Sequence, residues 1–103
     1  MKVSVVIVSY KVPYHLILCL DSVEKALEGL DAETIVIDNA SKDQTEDLVS
    51  KYFPKVKYIQ NSTNAGFSQA NNIAINQAQG DYVCLINPDT VITENCIHSA
   101  IEP

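Results

Sequence analysis

Val3-Ser4-Val5-Val6-Ile7-Val8 is a near-continuous β-branched run, the pattern of a strand covered on both faces. Three more strand-like runs follow, at residues 34–37, 56–59 and 82–86, and a stretch of helical periodicity separates each from the next. This alternation is the strongest constraint on the fold. It predicts the order β-α-β-α-β-α-β-α and a mostly parallel sheet with right-handed crossovers. The expected class is α/β, a three-layer α/β/α arrangement. The first, second and fourth runs end in polar residues: Ser9-Tyr10, Asp38-Asn39 and Asn87-Pro88-Asp89. Open α/β sheets bind ligands outside the carboxyl ends of their strands, so these residues should share one pocket. The fourth run, Tyr82-Val83-Cys84-Leu85-Ile86, reads as a buried strand.

The helices carry their own signals. Pro13 opens the first, where a missing N–H costs little. Leu16, Leu20, Val23 and Leu27 follow helical spacing, Cys19 and Ala26 widen the stripe, and Gly29 is the expected stop. Ser41 with Gln44 matches a capping box for the second helix, and Asp43 favours the same amino end. Leu48, Val49, Tyr52 and Phe53 form its expected buried side, and Pro54 ends it. Residues 61–66 read as a loop by composition. Phe67, Ala70, Ala74 and Ala78 mark a third helix ended by Gly80. Thr93 begins a last helical stretch with Ile97, Ala100 and Ile101.

A chain of 103 residues fits one small domain over 1–103, and it looks cut from something larger. The net charge of −6 argues against nucleic-acid phosphates as the main partner, although it leaves room for a nucleotide. No stretch approaches the roughly 20 apolar residues of a membrane span. Cys19, Cys84 and Cys96 are odd in number and form no C-x-x-C pair, so core packing is expected of them and a reducing cytosol is the expected compartment. His15 and His98 have no partners at metal-ligand spacing and read as surface or boundary residues.

Several residues read in two ways. A carboxylate at Asp89 suits a hard divalent cation bridging phosphate oxygens, while Asn87, Pro88 and Asp89 are equally turn formers. Asp38 suits a ribose hydroxyl or a base N–H, or else an Asx turn with Asn39 and Ser41. Gly66 permits positive φ or close backbone approach, or simply a loop-to-helix turn. Asn71 and Asn72 are poor helix-interior residues, so one should face solvent and the other should bond loop backbone near the pocket. Tyr10 suits stacking on a base or ordinary packing at a strand end.

Taken together, Val5-Val6-Ile7-Val8-Ser9-Tyr10, Ile37-Asp38-Asn39-Ala40-Ser41-Lys42-Asp43-Gln44-Thr45, Asn64-Ala65-Gly66-Phe67, Ala70-Asn71-Asn72, and Ala78-Gln79-Gly80-Asp81-Tyr82 running into Asn87-Pro88-Asp89-Thr90 resemble the family 2 glycosyltransferases. The Asn-Pro-Asp-Thr spelling looks most like the rhamnosyltransferase-like branch. The resemblance implies the Rossmann-like nucleotide-binding half of a GT-A fold. It implies transfer of a sugar from a UDP- or dTDP-sugar to a saccharide or lipid-linked acceptor, with inversion. Ser9, Tyr10, Asp38, Asn39, Gly66, Asn72 and Asn87 would line the donor site. Asp89 matches the last acid of the family's D-x-D motif and would bind Mg²⁺ or Mn²⁺. The general base would lie beyond residue 103, so no catalytic residue is expected here and the isolated chain is expected to be inactive. Asn87 stands where many members carry an Asp, and Gln69 where many carry an Arg.

Three other readings compete with this one. A non-catalytic nucleotide-binding module would need the same Asp38 and Asp89. A dinucleotide-binding oxidoreductase would need G-x-G-x-x-G after the first strand, where Lys11-Val12-Pro13-Tyr14 has no glycine. A phosphoacceptor domain would need acids where Ser9 and Tyr10 sit. Self-association through an apolar edge, and peripheral attachment at the inner face of a membrane, are further expectations.

Overall fold

The computed structural model describes residues 2–41, 43–61, 66–89 and 91–92. The alternation gives β1 (Lys2–Ser9), α1 (Pro13–Ala26), β2 (Asp31–Asp38), α2 (Thr45–Tyr52), β3 (Lys57–Gln60), α3 (Phe67–Gln77) and β4 (Tyr82–Ile86). All pairings are parallel, in the order β3-β2-β1-β4. The chain therefore reverses its direction of travel across the sheet between β3 and β4. β1 lies at the centre and is buried from Val3 to Ser9. The helical stretch expected from Thr93, with Cys96 and His98, lies outside the described residues, as does most of the loop over 61–66.

Strand alternation divides the core in two. Val3, Val5 and Ile7 join Val36 against the α1 stripe of Leu16, Cys19, Leu20, Val23 and Ala26, with Val49 and Phe53 from α2. Val6 and Val8 join Ile35 and Ile37 against Ala70 and Ala74 of α3. The small alanines let α3 sit close over β1 and β2. No helix among the described residues is long and apolar enough to cross a membrane.

Four sequence expectations need correction. β2 begins three residues earlier than the apolar run at 34–37, because Asp31, Ala32 and Glu33 pair in register with Lys2, Val3 and Ser4. The Ser41–Gln44 capping box does not form. α2 starts at Thr45, whose N–H is taken by the Asp43 carboxylate at 2.9 Å, while the Ser41 hydroxyl accepts the Lys11 N–H at 2.8 Å. Tyr52, expected inside, is 55% exposed and lies beneath the Lys51 ammonium. β4 is an edge strand in which Tyr82, Val83 and Leu85 are exposed. Its alternate residues Cys84 and Ile86 pack on the α1 face. Leu85 shares the face of its register partner Val6, where α3 lies mainly over β1 and β2.

Candidate functional site

In a parallel α/β unit each helix starts at the carboxyl end of the strand before it, so helix amino ends and strand carboxyl ends collect on one side. Here they border a cavity of about 510 Å³. Val8, Ser9, Tyr10 and Val12 enter from the end of β1, Asn39 from β2, and Asn87, Pro88 and Asp89 from β4. Gly66, the residue before α3, closes the rim. Val12 and Gly66 also sit at the amino ends of α1 and α3, where helix dipoles favour an anion. The shared pocket expected from three polar strand ends is present.

The cavity floor holds an unusual group. The Ser9 hydroxyl is buried and has no hydrogen-bond partner among the described residues. The backbone of the same residue is paired, since the Ser9 carbonyl accepts the Asn39 N–H at 2.8 Å. Tyr10, 43% exposed, offers its ring at the rim with the Lys11 ammonium 5.2 Å from the ring centre. Lys11 and Ala40 both take positive φ, 55° and 61°, where a side chain is strained. Gly66 takes φ 84°, and a Cβ added there would meet nothing within 4 Å. The glycine suits the backbone angle, and the space beside it is open to the cavity.

Asp38 is placed differently from the expectation. Its carboxylate is buried and turned inward: one oxygen accepts the Ser41 N–H at 2.9 Å and the other accepts the Tyr58 hydroxyl. Burial, and then the Asp38 carboxylate, push the Tyr58 phenol far above its ordinary range, so Tyr58 is a fixed donor. Asp38 is absent from the cavity wall, and the turn reading describes it. Asn39 does line the cavity. Its amide accepts from Asn61 at 2.7 Å and donates to the Gly66 carbonyl at 3.4 Å, which ties the β2, β3 and α3 ends together. Of the asparagine pair on α3, Asn71 is buried, while Asn72 is exposed and does not line the cavity. The helix phase that buries Ala70 and Ala74 carries Asn71 inward with them, a consequence that spacing alone left open.

Asp89 and Asn87 are exposed at the rim. The Cys19 thiol lies under them, donating to the Asn87 carbonyl at 3.6 Å. Burial first, and the Asp89 charge second, push this thiol up to about 11, so it stays protonated and a donor at neutral pH. Sequence reasoning missed Cys19, Tyr58 and Asn61 as partners of the site, because each acts across the fold. Among the described residues no group of three or more His, Cys, Asp or Glu side chains could hold a metal. One carboxylate beside an open, partly polar cavity suits a hard cation that takes its other ligands from a phosphate and water, as Mg²⁺ commonly does.

The same fold recurs in known proteins. The poly(ribitol-phosphate) β-N-acetylglucosaminyltransferase TarS of Staphylococcus aureus is 32% identical over 104 residues, covering 97% of this chain and 18% of TarS. The crystal structure of S. aureus TarS 1-349 in complex with UDP-GlcNAc superposes with a TM-score of 0.84 at 32% identity, covering 97% of this chain and 30% of that one. A mannosyltransferase from Pyrobaculum calidifontis, solved with GDP-Man and Mn²⁺, has the same fold, with a TM-score of 0.85 at 21% identity over 96% of this chain and 31% of that one. The chain thus spans less than a third of the length of each of these proteins. The sequence model of glycosyl transferase family 2 matches residues 4–103. With nearly the whole chain matched, and with the fold of the family's solved members around a cavity at the strand ends, this chain belongs to glycosyl transferase family 2.

Proposed function

We propose that this chain is the donor-binding part of a glycosyltransferase that moves a sugar from a nucleoside-diphosphate sugar to a saccharide or lipid-linked acceptor, with inversion. The observation that carries the reading is the cavity at the strand ends, which joins a buried Ser9 hydroxyl, without a partner among the described residues, to a rim carboxylate at Asp89. A nucleoside diphosphate matches both. Its base or ribose supplies the missing partner for Ser9 and a flat surface for the Tyr10 ring. Its diphosphate reaches the side where the helix amino ends and Asp89 lie. Asn39 and Gly66 then form the wall between these ends, and Asn87 flanks Asp89. Asp38 acts at one remove, holding the β2 turn that presents Asn39. Asn72 has no direct contact in this reading.

Asp89 would hold Mg²⁺ or Mn²⁺, and the cation when bound neutralises charge on the departing diphosphate. Asn87 in place of a second acid leaves the site with less charge for the cation, so metal affinity without nucleotide should be weak. The Asn87-Pro88-Asp89-Thr90 spelling supports the finer placement in a rhamnosyltransferase-like branch, with a UDP- or dTDP-linked donor. Work on a lipid-linked acceptor would place the protein in the cytoplasm, at the inner face of the membrane.

Calorimetric titration of UDP and dTDP, with and without Mn²⁺, tests the reading on the wild-type chain and on Asp89→Ala. Binding strengthened by Mn²⁺ in the wild type, with the strengthening lost in Asp89→Ala, is the expected result. A preference between UDP and dTDP would identify the base of the donor. A folded chain that binds neither nucleotide would overturn the proposal.

A further inference from the structure

We infer that Cys19 and Ser22, one turn apart on α1, are positioning residues that fix the Asp89 segment for metal binding; the inference rests on the donor-site reading above. Asp89 follows an edge strand with one exposed face, so the sheet alone gives it little support. The support comes from the helix below. The Cys19 thiol donates to the Asn87 carbonyl at 3.6 Å. The Ser22 hydroxyl donates to the Cys19 carbonyl at 2.7 Å, which leaves its oxygen free to accept the Ile92 N–H at 3.2 Å. Asn87 precedes Asp89 and Ile92 follows it, so one helical turn holds the segment on both sides.

This turn is itself packed into the core. Cys19 is fully buried and Ser22 is 7% exposed, between Leu16, Leu20 and Val23, which are all fully buried. The Ile92 side chain packs against the same core cluster and adds a third attachment. Because the Ser22 proton is committed to the helix carbonyl, the hydroxyl faces Ile92 only as an acceptor. The direction of the hydrogen-bond chain is therefore set by α1. A carboxylate fixed in this way loses less conformational freedom when a cation and a diphosphate bind, which is how supporting residues raise affinity without touching the ligand.

The test is titration of UDP into the full chain, with and without Mn²⁺, for the wild type, for Cys19→Ala/Ser22→Ala, and for Ser22→Thr. The double variant should lose about threefold to tenfold of the Mn²⁺-dependent gain in affinity, the size expected for one or two lost tethers. Its metal-free UDP affinity should stay that of the wild type, a separation that a general loss of stability would not produce. Ser22→Thr keeps the hydroxyl and should keep the gain. Amide exchange followed by NMR supplies a readout that needs no ligand. The Ile92 amide should exchange faster in the double variant while β1 and β2 amides stay protected, which also shows that the variant is folded. A double variant with the full Mn²⁺-dependent gain overturns this inference and leaves the donor site standing. A wild type that binds UDP without any response to Mn²⁺ overturns the metal reading of Asp89 and this inference together.

Discussion

Ser4 and Ser9 lie on the same strand, are both fully buried, and are treated in opposite ways. At the amino end of β1 the Ser4 hydroxyl donates to Glu33 at 2.5 Å and accepts the Gly80 N–H at 2.8 Å. Glu33 also takes the Gln79 N–H at 2.7 Å, and the Lys2 carbonyl takes the Asp81 N–H at 2.7 Å. The approach to β4 is thus stitched across β1 and β2. At the carboxyl end the Ser9 hydroxyl has no partner among the described residues, and Lys11 and Ala40 hold strained backbone angles. A buried hydroxyl without a partner costs free energy, as does a side chain at positive φ. One end of the strand is arranged for stability. The other tolerates both costs where a ligand would relieve the first.

The largest expected effect breaks the amino end. A Cβ on Gly80 would lie 2.6 Å from the Ser4 hydroxyl and 2.7 Å from the Ser4 backbone nitrogen, which cannot rotate away. Gly80→Ala should cost about 3 kcal/mol in urea denaturation, at the upper end for overpacking. The serine pair then sharpens the contrast. Ser4→Ala strands the Gly80 N–H and should cost about 1–2 kcal/mol, whereas Ser9→Ala should leave stability within about 0.5 kcal/mol and weaken UDP binding instead. Equal losses for the two would erase the distinction between the ends. Ala40→Gly relieves a left-handed residue but frees the unfolded chain, so a net gain of about 0.5 kcal/mol is expected from the same denaturation curves.

The smallest effect is a pH dependence. Burial raises the Glu33 carboxyl, but hydrogen bonds from Ser4 and Gln79 and the charges of Lys2 and Lys57 outweigh it and hold the group below its ordinary 4.5. Its contribution is therefore present above that value and lost as pH falls through the lower folded-state value. Denaturation midpoints taken below pH 4.5 should fall less steeply for Glu33→Gln than for the wild type, and the difference should shrink in high salt because Glu33 is partly exposed.

The fold was legible because periodicity is local: β-branched runs and helical stripes need no knowledge of distant partners. The lining of the cavity was legible where a residue's position in its own strand decides its place, as with Ser9, Tyr10, Asn39, Asn87 and Asp89. It was illegible where a distant element decides. Nothing near Asp38 announces that Tyr58, twenty residues on, will occupy its carboxylate. Gly80 reads as a helix stop, yet α3 already ends at Gln77, and the glycine answers to Ser4 across the sheet. The capping box failed for the same reason, since the Ser41 hydroxyl is committed to the backbone of Lys11.

The central place of β1 also sets the order in which this part of the molecule can be assembled. One flank of the strand finds its partner in β2 after a single helical crossover. The other waits for β4, where Lys2 and Asp81 meet across 79 residues of chain. Closing so long a loop is entropically costly and slow relative to the β1–β2 pairing. On a ribosome, β1 would spend the synthesis of everything between with an open apolar edge, a hazard for wrong pairing with other chains. The segment that carries Asp89 therefore arrives after β1, β2 and β3, on a platform that those strands and their helices have already built.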